Sequence, residues 1–132
     1  MRIAADTNVL VRVFVADDER QAECATEALA AADLVAVSLQ SLCEFCWVLA
    51  RGYGVARSDI AAAIRKLLDT ENVAVDRSAV EAGLAILEGG GDFADGIVAH
   101  EGRRLGGAVF VSFDRKAVAL VAAQGQAAEL LS

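Results

Sequence analysis

The chain reads as an α/β domain of three layers, a parallel sheet of four to five strands with helices on both faces. Three observations predict this. Short apolar runs alternate with longer segments whose apolar residues recur at helical spacing. The short runs are apolar throughout rather than alternating, the pattern of strands covered on both faces. The 132 residues are 56% hydrophobic, with no repeat and no low-complexity linker, so residues 1–132 are expected to form one domain around an aliphatic core.

Taken in order, Ile3–Ala5 is the first expected strand, stopping at Asp6-Thr7-Asn8. Asp17-Asp18-Glu19 opens an Ala-rich helix reaching about Ala32, since acids favour a helix N-terminus. Leu34–Ser38 is a second strand. Leu39 to about Arg51 is helical, with Leu39, Leu42, Cys43, Cys46, Leu49 and Ala50 forming its apolar stripe. Gly52-Tyr53-Gly54 ends it. Ser58 is a candidate cap for a helix burying Ile60, Ile64, Leu67 and Leu68. Val73–Val75 is a third strand, and Asp76 precedes a helix with Val80, Leu84 and Leu87 inward. Gly89-Gly90-Gly91 lacks the Lys and Ser/Thr of a phosphate-cradling loop and reads as a helix stop. Asp92 to about Leu105 is helical, closed by Gly106-Gly107. Val109–Ser112 is a fourth strand, Lys116 to about Ala123 a helix, and Ala128–Leu131 a short edge strand.

Composition excludes several functions. A net charge of −7 argues against a basic clamp on nucleic acid, which neutralises phosphates with surplus Lys and Arg. No apolar run reaches the length of a membrane span. Cys24, Cys43 and Cys46 are odd in number, which with no targeting segment points to a reducing, cytoplasmic setting. Cys43 and Cys46 have CxxC spacing, but no second pair accompanies them, so they read as structural helix residues.

Acids at particular positions carry the chemistry. Asp6 and Asp114 each follow an apolar strand, and ligands of open α/β sheets bind beyond the carboxyl ends of strands. Glu44 interrupts an apolar helix run, and Asp95 lies in the first turn of the helix opened by Asp92. Each has an ordinary alternative. Asp114 suits a helix cap, Asp92 and Asp95 suit a capping-box-like helix start, Asp6 suits a cap on the short segment after it, and Ser41 with Glu44 fits a capping box if the helix begins at residue 41. Jointly they suit a divalent cation, which would offset their mutual repulsion and the cost of burying Glu44. Oxygen ligands without a His/Cys set select Mg²⁺ or Mn²⁺ rather than Zn²⁺.

These residues resemble the PIN-domain nucleases and, within them, the VapC-type toxins of bacterial toxin–antitoxin pairs. The markers are Asp6-Thr7-Asn8-Val9-Leu10 after the first strand, Glu44 with Trp47-Val48-Leu49, Asp92-Phe93-Ala94-Asp95, and Ser112-Phe113-Asp114-Arg115-Lys116 after the fourth strand. The resemblance implies a sheet of order 3-2-1-4-5 and an endoribonuclease dependent on Mg²⁺ or Mn²⁺, leaving 5′-phosphate and 3′-hydroxyl ends. It implies that Asp6, Glu44, Asp95 and Asp114 form the catalytic, metal-holding quartet. Asp92 matches an accessory acid, and Asn8 and Ser112 match positions that orient carboxylates or waters. Arg115 and Lys116 are the best candidates for RNA contact, ahead of Arg12, Arg51, Arg103 and Arg104. His100 has no counterpart and reads as a helix-surface residue. The implied partners are a VapB-type antitoxin packed over the first helices, a second copy of the chain, and an RNA substrate (tRNA, rRNA or mRNA).

Three other classes compete. A haloacid-dehalogenase-type phosphatase needs an Asp where this chain has Asn8. A receiver domain needs a Lys where it has Ser112-Phe113-Asp114. An inactive PIN-fold binding module would not need all four acids.

Overall fold

A computed structural model describes all 132 residues, which fall into two compact units, Met1–Asp76 and Arg77–Ser132. Seven α-helices and five strands alternate, every strand pair is parallel, and the class is α/β.

In Met1–Asp76 the strands are β1 (Arg2–Ala4), β2 (Leu34–Ala36) and β3 (Val73–Ala74), in the order β1-β2-β3. Ile3 pairs with Val35, and Val35 with Val73. The helices are α1 (Thr7–Phe14), α2 (Glu19–Ala31), α3 (Leu39–Trp47) and α4 (Arg57–Leu68). Helix α1 was not expected. Asp6 caps it, and it buries Thr7, Leu10 and Val11. Its tip is anchored by Phe14, whose ring meets Phe45 edge-on with centroids 6.2 Å apart. Val35, Leu42, Phe45, Leu49, Ile60 and Ile64 form the core of this unit. Asn72 ties β3 to the end of α2, its Nδ2 donating to the carbonyls of Leu29 and Ala32 at 2.9 and 3.0 Å.

Three local expectations are corrected here. The first strand lies one residue earlier than expected. Helix α4 starts at Arg57 after Ala56, which supplies no side-chain cap, so Ser58 falls inside the helix. The long helix expected from Leu39 to Arg51 is α-helical only to Trp47 and continues as a π-helical turn over Val48–Gly52.

In Arg77–Ser132, α5 (Arg77–Glu88) and α6 (Phe93–Arg104) pack together, and β4 (Phe110–Ser112), α7 (Arg115–Ala123) and β5 (Ala128–Leu130) complete the unit. The expected order 3-2-1-4-5 is matched in its two segments, β3-β2-β1 in one ladder and β4-β5 in another. Gly90 and Gly106 end α5 and α6 at φ +98° and +105°, a conformation costly to other residues. The amides after each turn bond back into the helix, Gly91 to Ile86 O at 2.9 Å and Gly107 to Gly102 O at 2.8 Å.

The α5–α6 contact has no spare room. A Cβ on Gly83 would lie 2.6 Å from the Phe93 ring, and one on Gly96 would lie 2.5 Å from the Ala82 carbonyl oxygen. Phe93 is fully buried against Gly83, so the start of α6 is clamped to α5. That clamp holds Asp92 and Asp95, which flank Phe93 in sequence.

Candidate functional site

In Met1–Asp76, Asp6 stands just past β1 as the cap of α1. Its Oδ1 accepts from Thr7 N at 2.8 Å, leaving Oδ2 with no protein donor. The exposed carboxyl lines an open crevice of about 590 Å³ beyond the carboxyl ends of β1, β2 and β3, shared with Ser38, Ser41 and Asp76. Thr7 is the one buried polar residue of the chain, and its Oγ1 donates to Glu44 Oε2 at 2.8 Å. Gln40 Nε2 lies 3.4 Å from the other Glu44 oxygen. Glu44 is available because α3 begins at Leu39, with Ser38 accepting from Ser41 N at 3.1 Å. The expected Ser41–Glu44 capping box is therefore not formed. Glu44 is also exposed, so no cation is needed to offset its burial.

The side chain that orients a carboxylate in this unit is that of Thr7, through its hydroxyl. Asn8 is exposed on α1 and bonds to no acid. The signal available in the sequence was a hydroxyl directly after a strand-end Asp, at the first residue of a helix.

In Arg77–Ser132, two acids act on a third. Asp92 caps α6 through Oδ1, which accepts from Ala94 N at 3.0 Å. Asp95 is half-buried one turn further on. Its carboxyl is held above the usual aspartate range by burial first, then by the negative charges of Asp92 and Asp114. Asp114 caps α7, its Oδ1 accepting from Ala117 N at 3.1 Å. Ser112 accepts from Asp114 N through Oγ at 3.0 Å, fixing the turn from β4 into α7. Arg115 and Lys116 are exposed at the start of that helix.

The ordinary reading of Asp6, Asp92 and Asp114 as caps is thus correct, and it is compatible with a second role. Each cap occupies Oδ1 and leaves Oδ2 without a protein donor. In neither unit do three or more His, Cys, Asp or Glu side chains converge into a ready-made metal cage. Mg²⁺ does not require one, because it commonly keeps several waters and takes one or two carboxylates. The donors are all oxygens, and a cation beside Asp95 would relieve the repulsion from its two neighbours, so the residues fit a hard divalent ion.

Other candidates are committed elsewhere. Arg12 bonds Asp17 at 2.8 Å and Gln21 at 2.6 Å, and Arg104 pairs with Glu101. His100 Nε2 lies 3.3 Å from Ser78 Oγ and is half-buried on α6. Cys46 is buried, Cys43 half-buried and Cys24 exposed, all as free thiols. No helix is long and apolar enough to cross a membrane.

Residues 3–123 match the PIN domain. The chain belongs to the PIN-domain family. The match runs through both units and takes in every acid described above. PIN domains are typically metal-dependent nucleases, and nuclease chemistry is accordingly the general function of this fold. A comparison with curated proteins found no match.

Proposed function

We propose that this PIN domain is an endoribonuclease dependent on Mg²⁺ or Mn²⁺, the toxin of a VapBC-type pair. One observation carries the reading furthest. In a chain of this family, Asp95 is half-buried beside two further acids, an arrangement that costs energy without a cation. By the family resemblance, Asp6, Asp95 and Asp114 are metal-holding acids, Glu44 belongs to the same catalytic quartet, and Asp92 is an accessory acid. When bound, the ion lowers the pKa of water and offsets charge growing on the phosphoryl oxygens. Glu44, tethered by Thr7, accepts a proton from the attacking water. Ser112 keeps the Asp114 turn in place, and Arg115 and Lys116 contact RNA phosphates.

The partner reading is supported by an apolar groove of about 1040 Å³ within Met1–Asp76, whose walls include Leu10, Phe14, Leu29 and Phe45 of the first helices. A VapB-type antitoxin segment would bury that surface. Exposed Val98, Leu105, Val111 and Phe113 in Arg77–Ser132 favour self-association as a homodimer.

The test is cleavage of tRNA, rRNA and mRNA by the purified chain. Activity is expected with Mg²⁺ or Mn²⁺, lost in EDTA and restored by Mn²⁺. Hydrolysis of a generic phosphomonoester with no RNA cleavage would instead support a phosphatase. The role of Thr7 has its own expectation. Thr7→Val should lower kcat about 10- to 100-fold, the usual loss when a carboxylate loses its orienting partner. The stability loss should be about 1 kcal/mol, one hydrogen bond. Recovery of kcat by Thr7→Ser would tie the effect to the hydroxyl, read beside urea midpoints for all three proteins.

A further inference from the structure

Trp47 is 64% exposed, although α3 offers a core beside it in which Leu42, Phe45 and Cys46 are buried. Its indole makes no hydrogen bond and no ring contact within the chain. Leaving so large an apolar side chain in water forgoes the stabilisation its burial would give. The helix changes from α to π immediately after it, at Val48–Gly52, and such turns recur at functional sites.

Its neighbours give the position a chemical meaning. Trp47 is three residues after Glu44 on α3, so their Cβ atoms are about 5–6 Å apart on one helix face. Glu44 itself is held by Thr7 at 2.8 Å. Arg51 follows Trp47 by four residues on the same stripe, exposed and without an ion pair in the chain. An exposed flat ring, a guanidinium one turn away and a fixed carboxylate one turn back form a strip of about two helical turns, roughly 10 Å long.

We infer that Trp47 is the stacking platform for an unpaired nucleobase of single-stranded RNA, with Arg51 on the adjoining phosphate. The inference rests on the ribonuclease reading and deepens it by naming the residue that would hold a base. Duplex RNA does not fit, because its bases are already stacked on each other. Stacking also supplies affinity that the charge of this chain does not. At net −7 it cannot rely on general attraction to phosphate, whereas a base on an aromatic ring binds whatever its sequence.

The test exploits the fact that Trp47 is the chain's only tryptophan. A cleavage-incompetent Asp95→Asn protein is titrated with a short unstructured RNA and with the same RNA annealed to its complement. Saturable quenching of tryptophan fluorescence by the single strand, and little by the duplex, is expected. In the same background, Trp47→Ala should weaken binding of the end-labelled single strand about 5- to 150-fold by anisotropy, and Trp47→Phe should recover part of it. Sedimentation should give the same oligomeric state for all variants. RNA binding by anisotropy with unquenched Trp47, or unchanged affinity in Trp47→Ala, overturns the platform while leaving the ribonuclease reading intact. A change of oligomeric state in Trp47→Ala assigns the indole to a protein interface and likewise overturns it. Absence of any RNA binding or cleavage by the wild-type chain overturns both.

Discussion

Asp95→Asn is expected to abolish RNA cleavage and, in metal-free buffer, to raise the melting temperature. The loss of activity should be at least about 100-fold, the lower end of what removing one group that stabilises transition-state charge costs. The gain in stability follows from the raised carboxyl. Burial, then Asp92 and Asp114, make the charged form of Asp95 less favourable in the folded chain than in the unfolded one. Between the unfolded and folded pKa values the native state binds more protons, so stability falls as pH rises through that window. At neutral pH the charge is a standing cost that Asn removes. The difference in melting temperature should therefore close as pH is lowered through the carboxylate range. Added Mg²⁺ should raise the melting temperature of the wild type and leave the variant nearly unchanged, because the ion stabilises only where it binds the folded state. Calorimetry at two pH values, with and without Mg²⁺, reads all of this. A variant less stable than wild type at neutral pH in EDTA would contradict the account.

Phe93→Ala should be the most damaging single substitution to the fold. The ring is fully buried, and it fills the space left open by Gly83. Deleting it costs about 3–5 kcal/mol, from lost burial and the cavity together. Against a total of about 5–15 kcal/mol for a domain, that is enough to leave much of the chain partly unfolded. Activity should fall even in the folded fraction, since Phe93 sits between Asp92 and Asp95 and sets where α6 begins. Phe93→Leu keeps most of the volume and should cost about 1.5 kcal/mol or less. Urea titrations give the stabilities, and cleavage per folded molecule gives the activity. Full cleavage by Phe93→Ala at low temperature would show that the clamp on α5 does not position the acids.

Much of the molecule was legible because its signals are local. Apolar runs marked β2 to β5 to within two residues, and Asp18, Asp92 and Asp114 were readable as helix starts because a cap bonds an amide only two or three residues away. The glycine runs after α5 and α6 announced their turns for the same reason. Helix α1 escaped because Thr7–Phe14 is short and rich in Val, a residue that favours strand as readily as helix. Ser58 misled because a hydroxyl near a helix start is a cap only if the backbone leaves the helix at that residue.

The candidate site divides along the same line. Position in the chain singled out Asp6, Glu44, Asp95 and Asp114 as candidates, since each stands at a strand end, in a first turn or against an apolar run, and the resemblance added Asp92. What each acid does depended on contacts between distant residues. Thr7 reaches Glu44 across 37 positions, and only because α3 starts at Leu39 is Glu44 free to receive it. Asp95 is perturbed because packing of Phe93 on Gly83 and the turn at Ser112 hold it partly buried within reach of Asp92 and Asp114. Trp47 lies outside the apolar stripe expected for its helix, but only the helix packing shows that it stands in water. Local backbone bonding is written within a few residues of sequence. Burial and long-range charge are properties of the packed chain, so the acids could be named from the sequence, but their partners and their energetic state came from the tertiary structure.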